Sequence, residues 1–311
     1  MTQLIGVDLG GTAIKLGRFD RDGTLLAELE VPTPQPSMPG AVVMALVEAI
    51  ETLDPERRAP WVGIGLPGPM DAAGRVARVC INLPGWQQVP LAEWLEPQLQ
   101  RRVTLANDGN CALMGEAWQG AAAGYSDVLL LTLGTGVGGG VLLEGRLLTG
   151  HGGAASEPGL ICVNPDGPPC NSGNRGSLEQ YCSIGGLRRL AGADAAGAGS
   201  RASELDPREL CRRADQGDAE ALAIWQSYGR WLGIGLSSLI YVLTPKLVLV
   251  GGGLSAASRH FLPAAQRELE QRVQAESRQG LELRCCALGN GAGRLGAARL
   301  ALERFGQARL G

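Results

Sequence analysis

Lysine is almost missing from this chain: of its 28 basic residues, only Lys15 and Lys246 are lysines. Neither follows a glycine, which excludes the Gly-Lys-Ser/Thr phosphate loop of a P-loop nucleotide binder. A charge excess is missing too. The 28 basic and 31 acidic residues leave a formal net charge of −3, without the basic surplus or stripe that marks a nucleic-acid binder. No run is apolar enough for a membrane span; the nearest, residues 221–243, carries Gln226 and Arg230 and reads as an amphipathic helix. Residues 1–10 lack the charged and apolar regions of a secretory leader. The eight cysteines include no Cys-x-x-Cys pair and only one adjacent pair, Cys285-Cys286. Free thiols in a reducing cytoplasm are the expectation.

What is abundant is glycine, 47 of 311 residues, about twice the usual share of ~7%. The glycines cluster in three places: Asp8-Leu9-Gly10-Gly11-Thr12, Leu133-Gly134-Thr135-Gly136-Val137-Gly138-Gly139-Gly140, and Gly251-Gly252-Gly253. Each cluster follows an apolar, β-prone run. Glycine lets backbone N–H groups approach an anion with no Cβ in the way, and Thr12 and Thr135 add hydroxyl donors. A hairpin turn accounts for any one of these clusters; three together point to a triphosphate cradle. The run from Gly134 to Gly139 has the look of a dinucleotide fingerprint, but that motif must open a helix, and Val141-Leu142-Leu143 continues as strand. The lysine and His-Arg-Asp signature of protein kinases is absent.

The pattern along the chain predicts two α/β halves. Strands are expected at 3–9, 13–20 and 24–31, then a proline-rich loop, a helix at 40–53, strands at 61–66 and 103–106, and a helix at 109–122. The scheme restarts with strands at 127–133, 137–143 and 146–149. A Gly/Pro/Asn-rich loop spans 150–175. Helices follow at 176–190, 206–215, 218–243 and 258–276, with strands at 246–250 and 281–286 and a last helix at 293–306. Ala191–Ser200 is expected as a surface loop. Each half opens on strand, glycine turn, strand, which reads as a duplication of architecture with chemistry in a cleft between the halves.

The three glycine loops are similar to the phosphate loops of the actin-like (ribonuclease H-like) ATPase fold. Gly65-Leu66-Pro67-Gly68-Pro69, Asn82-Leu83-Pro84-Gly85-Trp86, Asn107-Asp108-Gly109-Asn110 and the stretch from Gly150 to Glu179 narrow the likeness to the ROK family of sugar kinases and repressors. The form Gly11-Thr12-Ala13-Ile14-Lys15 looks nearest to zinc-less ROK glucokinases of cyanobacterial type. The resemblance implies two actin-like α/β domains with an interdomain cleft, residues 1–121 with the helix 293–311 packed back on them, and residues 122–292. It implies transfer of phosphate from ATP to the 6-hydroxyl of a hexose, foremost glucose. Asp108 is then a buried general base. Gly65, Asn82, Asn107, Glu157 and Glu179 contact the sugar. Asp8 organises Mg²⁺ through water, and Gly10, Gly11, Thr12, Gly134, Thr135 and Gly136 hold phosphates, with Gly252 and Gly253 near the adenosine. On spacing alone, Asp108 is equally well a helix N-cap, Glu157 a loop surface charge and Glu179 a solvated helix face. Trp86 reads as a packing residue.

The chain departs from the family's pattern in two places. Of the four zinc ligands many members carry, only Cys170 remains; Ser172, Ser177 and Leu160 stand where cysteines and a histidine are usual and are poor zinc ligands. No structural zinc is expected, and the loop must be ordered by Pro165, Pro168, Pro169, Asn171, Ser172 and Asn174 instead. Where relatives place lysine after the threonine, this chain has Ala13; Lys15, on the same strand face, either supplies that charge to a phosphate or stays a solvated strand residue. Kinases for N-acetylglucosamine, N-acetylmannosamine or fructose are the competing reading. A sugar-responsive repressor would need a helix-turn-helix ahead of Gln3. The aromatics Trp225, Tyr228 and Trp231 beside Leu232 fit core packing or a homodimer interface. The expected partners are ATP and a hexose, with no nucleic acid and no membrane.

Overall fold

The computed structural model describes residues 2–80, 83–192 and 205–306. Asn82 and most of the expected surface loop at 191–200 therefore lie outside the described residues. In chain order the elements are β1 (Leu4–Leu9), β2 (Ala13–Phe19), β3 (Leu25–Pro32), α1 (Pro39–Leu53), β4 (Trp61–Leu66), β5 (Ala77–Val79), β6 (Gln87–Val89), α2 (Leu91–Leu99), β7 (Arg102–Asn107) and α3 (Asp108–Gln119). They continue as β8 (Val128–Leu133), β9 (Val137–Leu143), β10 (Arg146–Leu147), α4 (Glu179–Cys182), α5 (Ile184–Leu190), α6 (Pro207–Asp215) and α7 (Ala219–Leu243). β11 (Leu247–Gly251), α8 (Ser258–Arg272), β12 (Glu282–Cys285) and α9 (Ala292–Gly306) complete the chain. No helix among the described residues is long and apolar enough to cross a membrane.

The first sheet has the order β3-β2-β1-β4-β7 and the second β10-β9-β8-β11-β12. In each, an antiparallel meander is extended on one side by two parallel strands, so the duplication expected from the sequence is one of topology. The chain forms two compact units: Met1–Tyr125 with Gly140–Ser156 and Ala287–Gly311, and Ser126–Gly139 with Glu157–Cys286. Gly140–Ser156 and the C-terminal segment from Ala287 group with the first unit.

In the first unit, β1 and β4 are buried along nearly their whole length, as parallel strands covered on both faces must be. Val42, Leu46 and Ile50 of α1 pack in the core with Ile5, Val7, Ile14 and Ile64. On the other face α9 lies against β1, β4 and α3, and glycine makes that approach possible. A Cβ on Gly6 would stand 1.7 Å from the Arg294 carbonyl oxygen, and one on Gly63 1.8 Å from that of Ala297. Trp86 is buried in this core, donating its indole N–H to the Ser37 carbonyl at 2.8 Å; it packs, as its sequence context suggested.

In the second unit α7 and α8 pack through Trp225, Tyr228 and Phe261, whose ring centroids lie 5.1–5.8 Å apart. Trp231 stacks on Tyr181 at 4.0 Å. The apolar surplus that suggested a subunit interface is thus used inside the unit, Trp225, Tyr228 and Leu232 being fully buried.

The structure adds the short antiparallel pair β5–β6, which the sequence reading did not contain, and two helical segments differ from it. Residues 91–99 form a helix that the pattern did not predict, because Pro97 interrupts it and proline is read as a helix breaker. The helix expected over 176–190 is two, α4 and α5; Ser183 between them is extended, and its Oγ accepts the Gly186 N–H and restarts the helix.

Substituting Gly63→Ala should destabilise the first unit by about 2–3 kcal/mol, since the methyl meets backbone that cannot move independently. Urea unfolding of the variant against wild type is the check; a midpoint unchanged from wild type would refute the close approach of α9.

Candidate active site

The three parallel strands of the first unit end in line. Across the ladder Asp8 pairs with Gly65 and Gly65 with Ala106. The chain then runs on through Asn107 into α3. Ligands of open parallel sheets sit beyond such carboxyl ends. Gly65 keeps the row tight, because a Cβ there would lie 3.0 Å from the Cys111 sulfur.

Asn107, not Asp108, is the N-cap of α3. Its Oδ1 accepts the N–H groups of Gly109 at 2.9 Å and Asn110 at 3.2 Å, and its Nδ2 donates to the Gly68 carbonyl at 3.3 Å. Capping therefore does not occupy Asp108, whose Oδ1 takes the N–H of its neighbour Gly109 at 2.8 Å. Nor is Asp108 buried and alone, as the sequence suggested. It is open to solvent, yet the surrounding protein withholds enough water to raise its carboxyl to about 6; the charge of Asp8 adds to the rise and the Gly109 N–H opposes it.

Asp8 is half-buried, and burial raises its carboxyl as well, with Lys15 and Arg294 pulling the other way. Lys15 sits opposite Asp8 on β2. Arg294 of α9, which carried no signal in the sequence, acts on the same carboxylate through its charge, while its guanidinium bonds the Leu16 carbonyl and pairs with Glu28. Two thiols flank the acids. Cys80 is pushed up to about 12 by burial and then by Asp108, and Cys111 is raised further by burial, Asp8 and Asp108. Both therefore stay protonated and neutral beside the two carboxylates.

The first glycine loop has its acceptors occupied. The Gly10 carbonyl takes the Thr33 hydroxyl at 2.7 Å, that of Gly11 takes Gln35 Nε2 at 2.9 Å, and that of Thr12 takes the Thr33 N–H at 3.0 Å. The loop's oxygens are thereby held out of competition with an incoming anion. Gly11 has no atom within 4 Å of where a Cβ would lie and no left-handed backbone. Gly134 and Gly253 of the second unit share both properties. At these three positions neither the fold nor the backbone angle demands glycine, which fits a ligand that comes close.

In the second unit, Glu179 is half-buried rather than a solvated helix face. Its Oε2 accepts the Val137 N–H at 3.0 Å and would lie 2.6 Å from a Cβ on Gly136. It braces the turn that carries Gly134, exposed Thr135 and Gly136. The Ile184 N–H holds the Gly134 carbonyl at 2.8 Å. Gly252 is left-handed, at φ +80°, and a Cβ there would meet the Leu133 carbonyl at 2.3 Å. Glu157 is exposed and precedes the short turn Pro158–Leu160.

The loop around Cys170 is organised by its own hydrogen bonds. Gly176 N–H donates to Pro168 and Cys170 N–H to Asn174, both at 2.8 Å, while the Asn174 amide reaches the Leu160 carbonyl at 3.4 Å. Ser172 donates its hydroxyl to the Cys170 sulfur at 3.3 Å. Of the residues expected to order this loop, Asn174 therefore bonds to backbone and Ser172 to the thiol.

Within the first unit, the two acids beyond a parallel sheet and the open turn at Gly11 are the parts of a phosphoryl-transfer type of site. Residues 4–304 match the sequence model of the ROK family, and the chain belongs to that family. It is 35% identical to the glucokinase of Thermotoga maritima, with 98% of each chain covered. It is 34% identical to the N-acetyl-D-glucosamine kinase of Escherichia coli O127:H6 over 84% of this chain and 91% of that one. Its fold is similar to that of a ROK family glucokinase from Streptomyces griseus in complex with glucose and AMPPNP, with a TM-score of 0.82, 32% identity, and coverage of 97% and 99%. The narrower likeness to cyanobacterial-type glucokinases has no support among these relatives.

Carbon-detected titration of the aspartate carboxyls should give Asp108 a midpoint near 6. Replacing Asp8→Asn removes a repelling charge and should lower that midpoint. An Asp108 midpoint in the ordinary carboxylate range near 4 would contradict the arrangement.

Proposed function

We propose that this protein transfers the γ-phosphoryl group of ATP to the 6-hydroxyl of glucose. The observation that carries the reading is Asp108, a solvent-reachable carboxylate raised to about 6 beside Asp8 at the carboxyl end of a parallel sheet. A general base works best with a pKa near the working pH, where it is ionised and still has affinity for the proton. Full-length similarity to glucokinases supports the choice of reaction.

In this reading the sugar hydroxyl lies against Asp108, which accepts its proton as the oxygen attacks phosphorus. Asn107, its Oδ1 committed to capping α3, orients Asp108 and offers its amide N–H₂ to a sugar hydroxyl. Gly65 holds the neighbouring strand end close. Asn82, Glu157 and Glu179 are assigned to sugar hydroxyls by the family resemblance, and Glu179 also fixes the Gly134–Gly136 turn. The family resemblance assigns phosphate oxygens to Gly10, Gly11, Thr12, Gly134, Thr135 and Gly136; the N–H groups of Gly10 and Gly134 are already given to the Ala13 and Gly136 carbonyls, both at 3.0 Å, so the donors left to each loop come from its other residues, the Thr12 and Thr135 hydroxyls among them. Gly252 and Gly253 border the adenosine. Lys15 offsets charge at Asp8 and extends positive potential toward the phosphates.

The residues present fit a divalent cation: Asp8 and Asp108, both raised by desolvation and the second also by the charge of the first, are a carboxylate donor set that favours a hard cation. Mg²⁺, when bound with ATP, supplies neutralisation of phosphate charge, and Asp8 would hold it through water. The residues around Cys170 do not make a zinc site, since Ser172, Ser177 and Leu160 lack the thiolates and imidazole such a site uses. A cytoplasmic homodimer is the proposed working form, by analogy with the family.

A coupled assay with ATP, Mg²⁺ and a sugar panel tests the reading. Glucose should give the highest kcat/KM, ahead of N-acetylglucosamine, N-acetylmannosamine and fructose. The profile should fall about tenfold per pH unit below pH 6, because Asp108 must be ionised to accept a proton. A higher kcat/KM for an N-acetylated sugar, or an acid limb near pH 4, would overturn it.

A further inference from the structure

Away from these residues, the second unit brings together a cysteine, an aspartate and a histidine that the proposed reaction does not use. Cys211 and Asp215 stand four residues apart on α6, so one helix face carries both. His260 comes from the first turn of α8. One ligand atom from each, the Cys211 sulfur, an Asp215 oxygen and a His260 ring nitrogen, lies within 4.8 Å of the other two. His260 Nε2 is 2.9 Å from Asp215 Oδ1, and its side chain is only 11% exposed.

We propose that Cys211, Asp215 and His260 form a binding site for a divalent metal ion of the zinc type. Thiolate, imidazole and carboxylate together are a soft-to-borderline donor set. It suits Zn²⁺ or Co²⁺ and disfavours Mg²⁺ and Ca²⁺, which take oxygen ligands. Three protein ligands leave the fourth tetrahedral position to water. On binding, the Cys211 thiol gives up its proton to solvent, the imidazole coordinates as the neutral ring, and no other bond changes.

Arg259 is the internal competitor. Its guanidinium meets Asp215 Oδ1 at 2.8 Å and Oδ2 at 2.5 Å, and the Cys211 sulfur at 3.2 Å. A metal ion therefore has to displace this guanidinium from Asp215 and Cys211. The arginine side chain is 54% exposed, and an ion pair this open to water adds little, so the guanidinium can yield the carboxylate and turn outward. The ion would tie α6 to the start of α8, which follows closely on the Gly252-Gly253 turn.

The test uses the intact protein and Co²⁺ as probe. Wild type should show a thiolate-to-cobalt charge-transfer band that saturates at one ion per chain, is bleached by Zn²⁺, and is unmoved by a large excess of Mg²⁺. Cys211→Ser should abolish the band, whereas Cys170→Ser and Cys285→Ser should keep it. His260→Ala should weaken Co²⁺ binding by about tenfold or more, and Arg259→Gln should bind at least as tightly as wild type. Zn²⁺ should raise the melting temperature of wild type and leave that of Cys211→Ser unchanged. A band absent from wild type, or one that survives Cys211→Ser with circular dichroism unaltered, would overturn the site. None of these readouts depends on sugar phosphorylation.

Discussion

The desolvation of two carboxylates, Asp8 and Asp108, by the surrounding protein is the constraint around which the first unit is organised, and the charge of Asp8 adds to it at Asp108. Holding two partly dehydrated acids at the carboxyl end of one sheet, on β1 and after β7 with β4 between them, weakens a fold above the pH where they ionise. Asp108 has its carboxyl raised to about 6, so at neutral pH it is ionised against its surroundings. The rest of the unit sets the terms of that conflict. Asn107 takes over the capping of α3 and leaves Asp108 to face outward. Lys15 and Arg294 limit the rise at Asp8. The thiols of Cys80 and Cys111 add volume without adding charge. A carboxylate kept proton-hungry at working pH is what abstraction from an alcohol requires, and stability is given up to keep it so.

Glycine does two different jobs in this chain, and the structure separates them. Gly6, Gly63, Gly115 and Gly296 are needed by the fold: a Cβ at any of them would strike backbone at 1.7–2.3 Å. They let α9 lie directly against β1, β4 and α3, and thereby bring the charge of Arg294 to bear on Asp8. Gly11, Gly134 and Gly253 meet no protein atom. Composition counts both kinds alike, so the high glycine content reads as turns and phosphate loops when much of it is close packing.

Much of the fold was legible because its signals are local. Alternation and apolar runs gave most of the strands of both sheets, and Asn107-Asp108 before an apolar helix marked a strand-to-helix junction. What stayed hidden depends on distant partners or on local rules overridden by packing. Helix α2 carries Pro97, yet Leu91, Ala92, Leu95 and Leu99 are buried enough to hold it. Nothing in the sequence announces that the charge of Asp8 acts on Asp108, that the charge of Arg294 acts on Asp8, or that Glu179 grips the Val137 N–H. The division of labour between Asn107 and Asp108 was equally invisible, since either residue type caps a helix. Cys211 and Asp215 are a helical pair on sight, but His260 joins them only through the packing of the second unit.

The most direct measurement on the central claim compares binding with turnover in Asp108→Asn, a change that keeps shape and removes the proton acceptor. Calorimetric affinities for glucose and for an ATP analogue should stay near wild type, while kcat falls by about 10²–10⁴-fold, the contribution of a positioned base. A variant that binds both ligands and keeps more than about a tenth of the wild-type rate would contradict the account.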